Sequence, residues 1–273
     1  YLADPNSISE EWRSYFDQLP RVDGHALKDV PNSTFNIATS FLYQDVISKA
    51  FDVPITQVIC SGQPRNDLLL EKSQSIKKVK ASNCHIIWTP TYRKANIGYF
   101  ESDGDFQTGF PIVGNNLEGL NELLIEYGGF LTIKLHPMDV LNEKVFEKYT
   151  HIEILNKKTF ESLNIQVNDL LATADVLLTD FSSIYIDFLI LNRPIGFVID
   201  DFEQYSNSRG FVFERPLDYM PGAFIDEESK LQCFLIDSML GKDLHENERK
   251  RINLELNNSG KNSSFNLWNQ ISK

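Results

Sequence analysis

Short apolar runs alternate with amphipathic segments along most of the chain. Apolar runs bounded by turn-forming residues are typical of buried strands in a parallel sheet. Such runs occur at 57–60, 85–88, 130–135, 152–155, 176–179 and 195–199. Helical spacing of apolar residues predicts helices at 41–51, 71–79, 117–127, 140–149, 167–173, 184–191, 227–240, 247–256 and 264–271. This alternation predicts an α/β fold with a doubly wound, Rossmann-like parallel sheet.

The stretch 174–194 combines a strand, a polar turn and a buried helix. The predicted strand 176–179 ends at Asp180, and Ser182 and Ser183 are residue types that cap helix N-termini. Backbone N–H groups and hydroxyls at such a turn can also bind an anion, of which phosphate is the commonest example. The two serines therefore serve either as an ordinary helix cap or as part of a phosphate-binding site.

Polar clusters at 64–67, 89–94, 134–137 and 180–183 each follow a predicted strand. Doubly wound sheets bind ligands beyond the carboxyl ends of their strands, so four such clusters predict one binding site at that edge. The candidate site residues are Arg65, Asn66, Arg93, Lys134, His136, Asp180, Ser182, Ser183 and Arg209.

Each candidate also has a structural interpretation. His136 could be a buried histidine bonded to a carbonyl, and Arg65 and Arg93 could form surface ion pairs. Asp180 could bind a metal, order a loop or cap the helix. His85 opens an apolar strand, which favours a structural role.

Composition narrows the range of functions. The 273-residue chain has a formal charge of −12, which argues against a nucleic-acid-binding surface. Three widely spaced cysteines without metal-ligand spacing indicate thiols in a reducing compartment, and no metal or other cofactor is expected. No apolar run approaches the ~20 residues of a membrane span, so a cytoplasmic location is expected. A nucleophilic-serine hydrolase is disfavoured because no Gly-x-Ser-x-Gly motif is present.

Residues 1–33 differ from the rest and are expected to form a separate helical arm, followed by one nucleotide-binding domain at 34–273. Ser7 and Glu10 fit a capping box ahead of a helix that carries Trp12 and Phe16. The sequence of residues 1–16 resembles that of the N-terminal arm of 2-oxoglutarate dehydrogenase E1 subunits. That likeness implies a docking helix, whereas the apolar spacing alone predicts a helix that packs on the main body.

Six motifs occur in a fixed order over the larger part of the chain. They are Gly-Gln-Pro-Arg-Asn-Asp at 62–67, Trp-Thr-Pro-Thr-Tyr-Arg at 88–93, Lys-Leu-His-Pro at 134–137, Leu-Thr-Asp-Phe-Ser-Ser at 178–183 with Asp187, Arg-Pro at 193–194 and Arg-Gly-Phe at 209–211. Together they closely resemble the CDP-glycerol glycerophosphotransferase family of teichoic-acid and capsule polymerases, from about residue 35 to near the C-terminus.

The resemblance implies the second, donor-binding half of a GT-B enzyme. The donor would be CDP-glycerol or a related CDP-polyol, and the acceptor a teichoic-acid or capsule-type polymer or a lipid-linked precursor. The donor's diphosphate and cytidine would lie against Ser182, Ser183, His136, Arg93 and Arg65. His136 would be the catalytic residue, acting as a partner of the phosphate, while an acceptor hydroxyl attacks the β-phosphorus and releases CMP.

The chain departs from this family in one respect. The Trp-His-Gly segment that carries the histidine of the family's first domain is absent, and the three tryptophans are Trp12, Trp88 and Trp268. An acceptor domain is therefore expected to be missing, with any peripheral membrane association supplied by that domain, and no general base is identified. Two alternatives remain: a UDP-sugar-dependent GT-B glycosyltransferase or epimerase, and a non-catalytic nucleotide-binding or scaffold module.

Overall fold

The computed structural model describes residues 35–75, 84–91, 116–134, 146–155, 157–162, 165–208, 210–257 and 262–272. The strands are β1 (Asn36–Ala38), β2 (Val58–Cys60), β3 (Cys84–Thr89), β4 (Gly129–Lys134), β5 (Ile152–Leu155), β6 (Val176–Thr179), β7 (Ile195–Val198) and β8 (Ala223–Ile225). The α-helices are α1 (Phe41–Ala50), α2 (Pro64–Ser75), α3 (Leu117–Tyr127), α4 (Lys157–Ser162), α5 (Val167–Thr173), α6 (Ile184–Phe188), α7 (Phe202–Ser208), α8 (Glu228–Met239), α9 (Glu246–Leu256) and α10 (Ser263–Ile271).

The main sheet has six parallel strands in the order β5-β4-β3-β6-β7-β8. Counted from β3, this is the 3-2-1-4-5-6 order of dinucleotide-binding folds, in which the chain winds first one way and then the other. The winding direction reverses between β3 and β6, where Trp88 pairs with Leu178 and Thr89 with Thr179. The predicted doubly wound sheet is confirmed, and its switch point lies at the carboxyl ends of β3 and β6.

Alternating side chains of the strands bury two separate cores, one on each face of the sheet. Ile86 and Leu178 point to a core covered by α3 and α8. Ile87 and Leu177 point to the opposite core, which is covered by α2, α5, α6 and α9. Because both faces are covered, β6 is apolar at almost every position and all four of its residues are buried.

A second, two-stranded parallel sheet is formed by β1 and β2, with α1 between them. It has its own small hydrophobic cluster around Ala38, Val53 and Val58. The polar segment after β2 therefore does not follow a strand of the main sheet. This corrects the prediction that all four polar clusters extend from one sheet. The predicted division at residue 34 stays a prediction.

Several element boundaries agree with the sequence pattern. The helices at 117–127 and 167–173 and the strands at 152–155 and 176–179 are confirmed residue for residue. Gly128 ends α3 in the left-handed conformation, with φ 72°, which glycine adopts without steric strain. The helix predicted at 184–191 is α-helical to Phe188 and then tightens into a 3₁₀ turn.

Other elements differ from the prediction. The helix predicted at 71–79 begins at Pro64, so residues 64–67 of the polar turn expected at 61–67 form the first turn of α2. Residues 76–79 of that prediction lie outside the described residues. Proline suits that position because the first N–H groups of a helix have no intrahelical partner. The segment after β7, predicted as a polar loop, contains α7, and β1, β8 and α4 were not predicted. Residues 146–148, predicted as helical, form a turn.

Within the described residues, no helix has both the length and the apolar character needed to cross a bilayer.

Candidate functional site

Asp180 joins the two strands of the switch point. Its carboxylate accepts the backbone N–H of Thr91 at 2.6 Å and also the Thr91 hydroxyl, and it accepts the N–H of Ser182 at 3.1 Å. At the last residues of the two strands, the Thr179 hydroxyl donates to the carbonyl oxygen of Thr89 at 3.1 Å. Asp180 is only 2% exposed. Of its three predicted roles, the described contacts support the ordering of a loop.

Ser182 and Ser183 lie at the start of α6, but their side chains contribute little to capping that helix. Ser183 occupies the N-cap position of α6, but it has helical dihedral angles and makes no side-chain cap hydrogen bond. The Ser182 hydroxyl accepts the N–H of Ile184 at 3.5 Å, which is the outer limit for such a bond. Ser183 is exposed and Ser182 is half-buried. Simple capping therefore explains these two hydroxyls poorly.

Arg65, on α2, forms an ion pair with α6, the helix that follows the two serines. Its Nε and Nη2 lie 3.0 Å and 2.9 Å from Oδ2 of Asp187, which is one helical turn after Ser183. Burial raises the pKa of the Asp187 carboxyl, and the charge of Arg65 with hydrogen bonds from Arg65 and Asn66 offsets only part of the rise. Arg65 thus takes part in an ion pair, as one interpretation of the sequence expected, but its partner is a buried carboxylate beside the candidate site.

The next two residues of the motif at 62–67, Asn66 and Asp67, also make hydrogen bonds to other helices. Asn66 is buried and hydrogen-bonds to Asp187. The Asp67 carboxylate accepts the N–H groups of Ser263 and Ser264 at 2.9 Å and 2.8 Å. The motif at 62–67 therefore fixes the start of α2 against both α6 and α10.

Lys134 ends β4, the neighbour of β3, and so lies at the predicted edge of the sheet. Its Nζ stands 5.2 Å from the ring centroid of Phe160 on α4. A cation over an aromatic face is a favourable contact that does not itself identify a phosphate site. A role for Lys134 in substrate binding stays a prediction.

Arg93, His136 and Arg209 lie outside the described residues. Their participation in the site, and the catalytic role of His136, remain predictions from the sequence. Among the described residues, no group of three His, Cys, Asp or Glu side chains is placed to hold a metal ion.

An aromatic cluster borders the serine turn. The Phe181 ring centroid lies 4.4 Å from that of Tyr205 and 5.3 Å from that of Phe211, while Phe202 stacks on Phe211 at 5.2 Å. These rings hold α7 and the following segment against the turn that carries Ser182. The many polar residues of α7 hid this arrangement from the sequence pattern, although the aromatic residues were a visible signal.

His85 has the structural role that its position favoured. Its Nε2 lies 2.8 Å from the Thr132 hydroxyl, which donates to Glu153 at 2.7 Å, and its Nδ1 lies 3.2 Å from the carbonyl oxygen of Thr173. These contacts lie near the start of β3, away from the switch point.

Two residues of the site region were not among the predicted site residues. Thr91 belongs to a recognised motif, but its partner Asp180 is 89 residues away along the chain. Asp187 stands four residues after Ser183, so both lie on one face of α6. Asp187 was recognised only as part of a family motif, and its position as the single carboxylate of an otherwise apolar helix was the signal that could have identified it as a site residue.

Comparison with known proteins gives the chain two family matches. A profile of the CDP-Glycerol:Poly(glycerophosphate) glycerophosphotransferase family matches residues 15–272. A second profile, the 2-oxoglutarate dehydrogenase N-terminus, matches residues 1–23. Both matches agree with the likenesses found in the sequence.

Among curated proteins, the teichoic acid glycerol-phosphate primase of Bacillus subtilis (strain 168) is 29% identical over 193 residues, which are 68% of this chain and 44% of that protein. The teichoic acid poly(glycerol phosphate) polymerase of Bacillus spizizenii is 26% identical over 222 residues, which are 77% of this chain and 50% of that protein. The chain thus spans about half the length of these relatives.

The solved structures agree at the level of the fold. The wall teichoic acid polymerase TagF superposes with a TM-score of 0.69 at 17% identity, covering 93% of this chain and 60% of that one. A putative UDP-N-acetylglucosamine 2-epimerase from Listeria monocytogenes superposes with a TM-score of 0.51 at 14% identity, covering 96% and 63%. The family profile spans nearly the whole chain, and the chain therefore belongs to the CDP-glycerol:poly(glycerophosphate) glycerophosphotransferase family.

Proposed function

We propose that this chain carries the donor-binding half of a glycerophosphotransferase. It binds CDP-glycerol or a related CDP-polyol at the carboxyl ends of β3 and β6. Family membership and the teichoic-acid primases and polymerases among its relatives support this substrate class. A TagF variant has also been studied after soaking with CDPG.

The serine turn is the observation that carries the proposal. Two hydrogen bonds join Asp180 to Thr91 and a third joins it to Ser182, while Ser183 is exposed and its hydroxyl makes no cap bond. Hydroxyls and N–H groups held in place before a ligand arrives lose little freedom when it binds, which favours recognition of a diphosphate. The switch point of a doubly wound sheet is also where nucleotides bind in other proteins.

In the proposed reaction, an acceptor hydroxyl attacks the β-phosphorus of CDP-glycerol. The new bond joins the acceptor oxygen to that phosphorus, and the bond from the phosphorus to the bridging oxygen breaks. CMP leaves with the bridging oxygen, and the acceptor proton passes to a base that we do not assign. Hydrogen-bond donors fixed around the diphosphate stabilise the charge that develops on the leaving group.

Cationic side chains complete the proposed site. Arg65 pairs with Asp187, one helical turn after Ser183, which supports its inclusion in the site. Arg93, His136 and Arg209 are expected to contribute on the strength of the family motifs. Arginine suits this role because its planar group can donate two hydrogen bonds to one phosphate.

The proposed acceptor is a teichoic-acid or capsule-type polymer, or its lipid-linked precursor. A donor-binding half needs acceptor-binding residues that lie elsewhere in a longer protein or in a partner. A cytoplasmic location suits the nucleotide donor, and peripheral contact with the membrane would follow from a lipid-linked acceptor.

Thermal unfolding with different nucleotides tests the proposal. A ligand at ~100 times its dissociation constant stabilises the native state by about 2.7 kcal/mol. We expect CDP-glycerol and CDP to raise the melting temperature, and UDP and UDP-N-acetylglucosamine to leave it unchanged. Stabilisation by the uridine compounds would favour the glycosyltransferase or epimerase alternative, and no stabilisation by any nucleotide would favour a scaffold.

A serine variant links the effect to the site. Ser183→Ala should lower the stabilisation by CDP-glycerol without lowering the melting temperature of the ligand-free protein, because its hydroxyl makes no cap bond. Ser75→Ala is the matched control, since that exposed hydroxyl donates only within α2, to the carbonyl oxygen of Glu71. Equal stabilisation of both variants would remove Ser183 from the site.

A further inference from the structure

Arg65 and Asp187 form an asymmetric ion pair between α2 and α6. The Asp187 side chain is 9% exposed, whereas the Arg65 side chain is 58% exposed. Both Nε and Nη2 of Arg65 converge on one oxygen, Oδ2 of Asp187. The Nη1 edge of the guanidinium takes no part in this contact with Asp187, and more than half of the Arg65 side chain is exposed.

The part of α2 around Arg65 is also fixed by contacts with neighbouring helices. The Arg65 carbonyl oxygen accepts the side-chain amide of Asn168 on α5 at 3.2 Å. Asn66 hydrogen-bonds to Asp187, and Asp67 binds the start of α10. These contacts with α5, α6 and α10 fix the backbone that carries Arg65, and the guanidinium itself is held by Asp187.

The location of the pair connects it to the serine turn. Asp187 follows Ser183 by four residues, so the two lie on the same face of α6 about one helical turn, ~5.4 Å, apart. The residue that holds the guanidinium is therefore one helical turn from Ser183. The two phosphates of a nucleoside diphosphate are large enough to contact both groups.

We propose that Asp187 is a positioning residue, which holds the Arg65 guanidinium beside Ser183 so that its remaining edge binds a phosphate oxygen of the donor. This inference rests on the proposed function, since it assumes a diphosphate at the serine turn. It adds a residue that touches no substrate and acts only through Arg65.

Stability alone is a weak explanation of the pair. Taking the Asp187 carboxylate out of water costs free energy that offsets much of its attraction to Arg65, so the pair adds little net stability. The chain offers a comparison on the same helix, because Lys72 of α2 pairs with Asp169 of α5, with side chains 46% and 25% exposed. Both pairs join α2 to a neighbouring helix, but only Arg65–Asp187 adjoins the serine turn.

A double-mutant cycle tests the inference by NMR titration of the chain with CDP and with cytidine. Arg65→Ala and Asp187→Asn should each weaken CDP binding about tenfold or more, because a charge-assisted phosphate contact is lost or displaced. Cytidine, which lacks phosphate, should bind all variants alike. Asp187→Asn added to Arg65→Ala should cause no further loss, and Asp169→Asn should bind CDP like the wild type.

Each other outcome is informative. Wild-type affinity in Asp187→Asn, or equal losses for CDP and cytidine, would overturn the positioning role and leave the proposed function standing. Independent, multiplying losses in the double variant would show that Asp187 does not act through Arg65. A wild-type chain that binds neither CDP nor CDP-glycerol would overturn the proposed function and this inference together.

Discussion

Asp67 caps the last helix of the chain from 197 residues away: its Oδ2 accepts the backbone N–H of Ser264 at 2.8 Å. Its Oδ1 accepts the N–H of Ser263 at 2.9 Å. Asn262, the residue at the N-cap position of α10, supplies no side-chain cap bond of its own. The start of α10 is therefore satisfied by a residue of α2, which ties the C-terminal segment to the motif at 62–67.

Removal of this cap should destabilise the protein. We expect Asp67→Ala to lower the free energy of unfolding by about 1–2 kcal/mol, the usual effect of losing an N-cap side chain. Urea denaturation measures the change. Asp45→Ala is the control, because Asp45 pairs with Lys49 on an exposed surface and should matter by less than about 0.5 kcal/mol. Equal effects of the two substitutions would contradict the tertiary cap.

The same contact predicts a pH dependence. Desolvation raises the pKa of Asp67, but hydrogen bonds from Ser264 and the N–H groups of Ser263 and Asn262 outweigh it and hold the pKa below its ordinary value. A lowered folded-state pKa gives stability that is present above the unfolded value, about 3.9, and is lost as the pH falls through the folded value.

The difference in stability between the wild type and Asp67→Asn should thus be greatest at neutral pH. It should shrink as the pH falls below about 4, where the carboxylate becomes protonated. Urea denaturation of both proteins from pH 7 to pH 3 measures it. A difference that stays constant across this range would mean that the charge of Asp67 has no part in the cap.

The Thr91 hydroxyl offers a test of the switch point. Thr91→Val keeps the shape of the side chain but removes its hydrogen bond to Asp180, a bond to a charged group. We expect a loss of about 1.5–3 kcal/mol in the free energy of unfolding. Thr150→Val, at an exposed position, is the control. A Thr91→Val protein as stable as that control would show that Asp180 does not depend on this contact.

Local sequence patterns predicted the elements whose neighbours lie close along the chain. β6 and α5 were predicted residue for residue, because four buried residues between turn formers and a clear helical period leave few alternatives. β1 and β8 have three residues each, which is too short for a periodic signal. α7 is largely polar and packs through the rings of Phe202 and Tyr205, so its pattern looked like that of a loop.

In the candidate site, too, only contacts between residues close in sequence could be predicted. Its serines and Asp180 could be predicted because strand, turn and helix are contiguous in sequence. The partners of Arg65 and Asp67 are 122 and 197 residues away, and no local pattern contains such a contact. The prediction that every polar cluster follows a strand of one sheet was wrong for Arg65, since β2 belongs to the smaller sheet.

Backbone amide NMR during titration with CDP-glycerol tests the central claim most directly, because it locates the bound ligand on the fold. We predict that the amide resonances of Thr91, Ser182, Ser183 and Ile184 shift with one common dissociation constant. Those of His85 and Phe130, near the opposite end of the sheet, should stay in place. Shifts confined to that opposite end, or no shifts at saturating CDP-glycerol, would contradict a donor site at the carboxyl ends of β3 and β6.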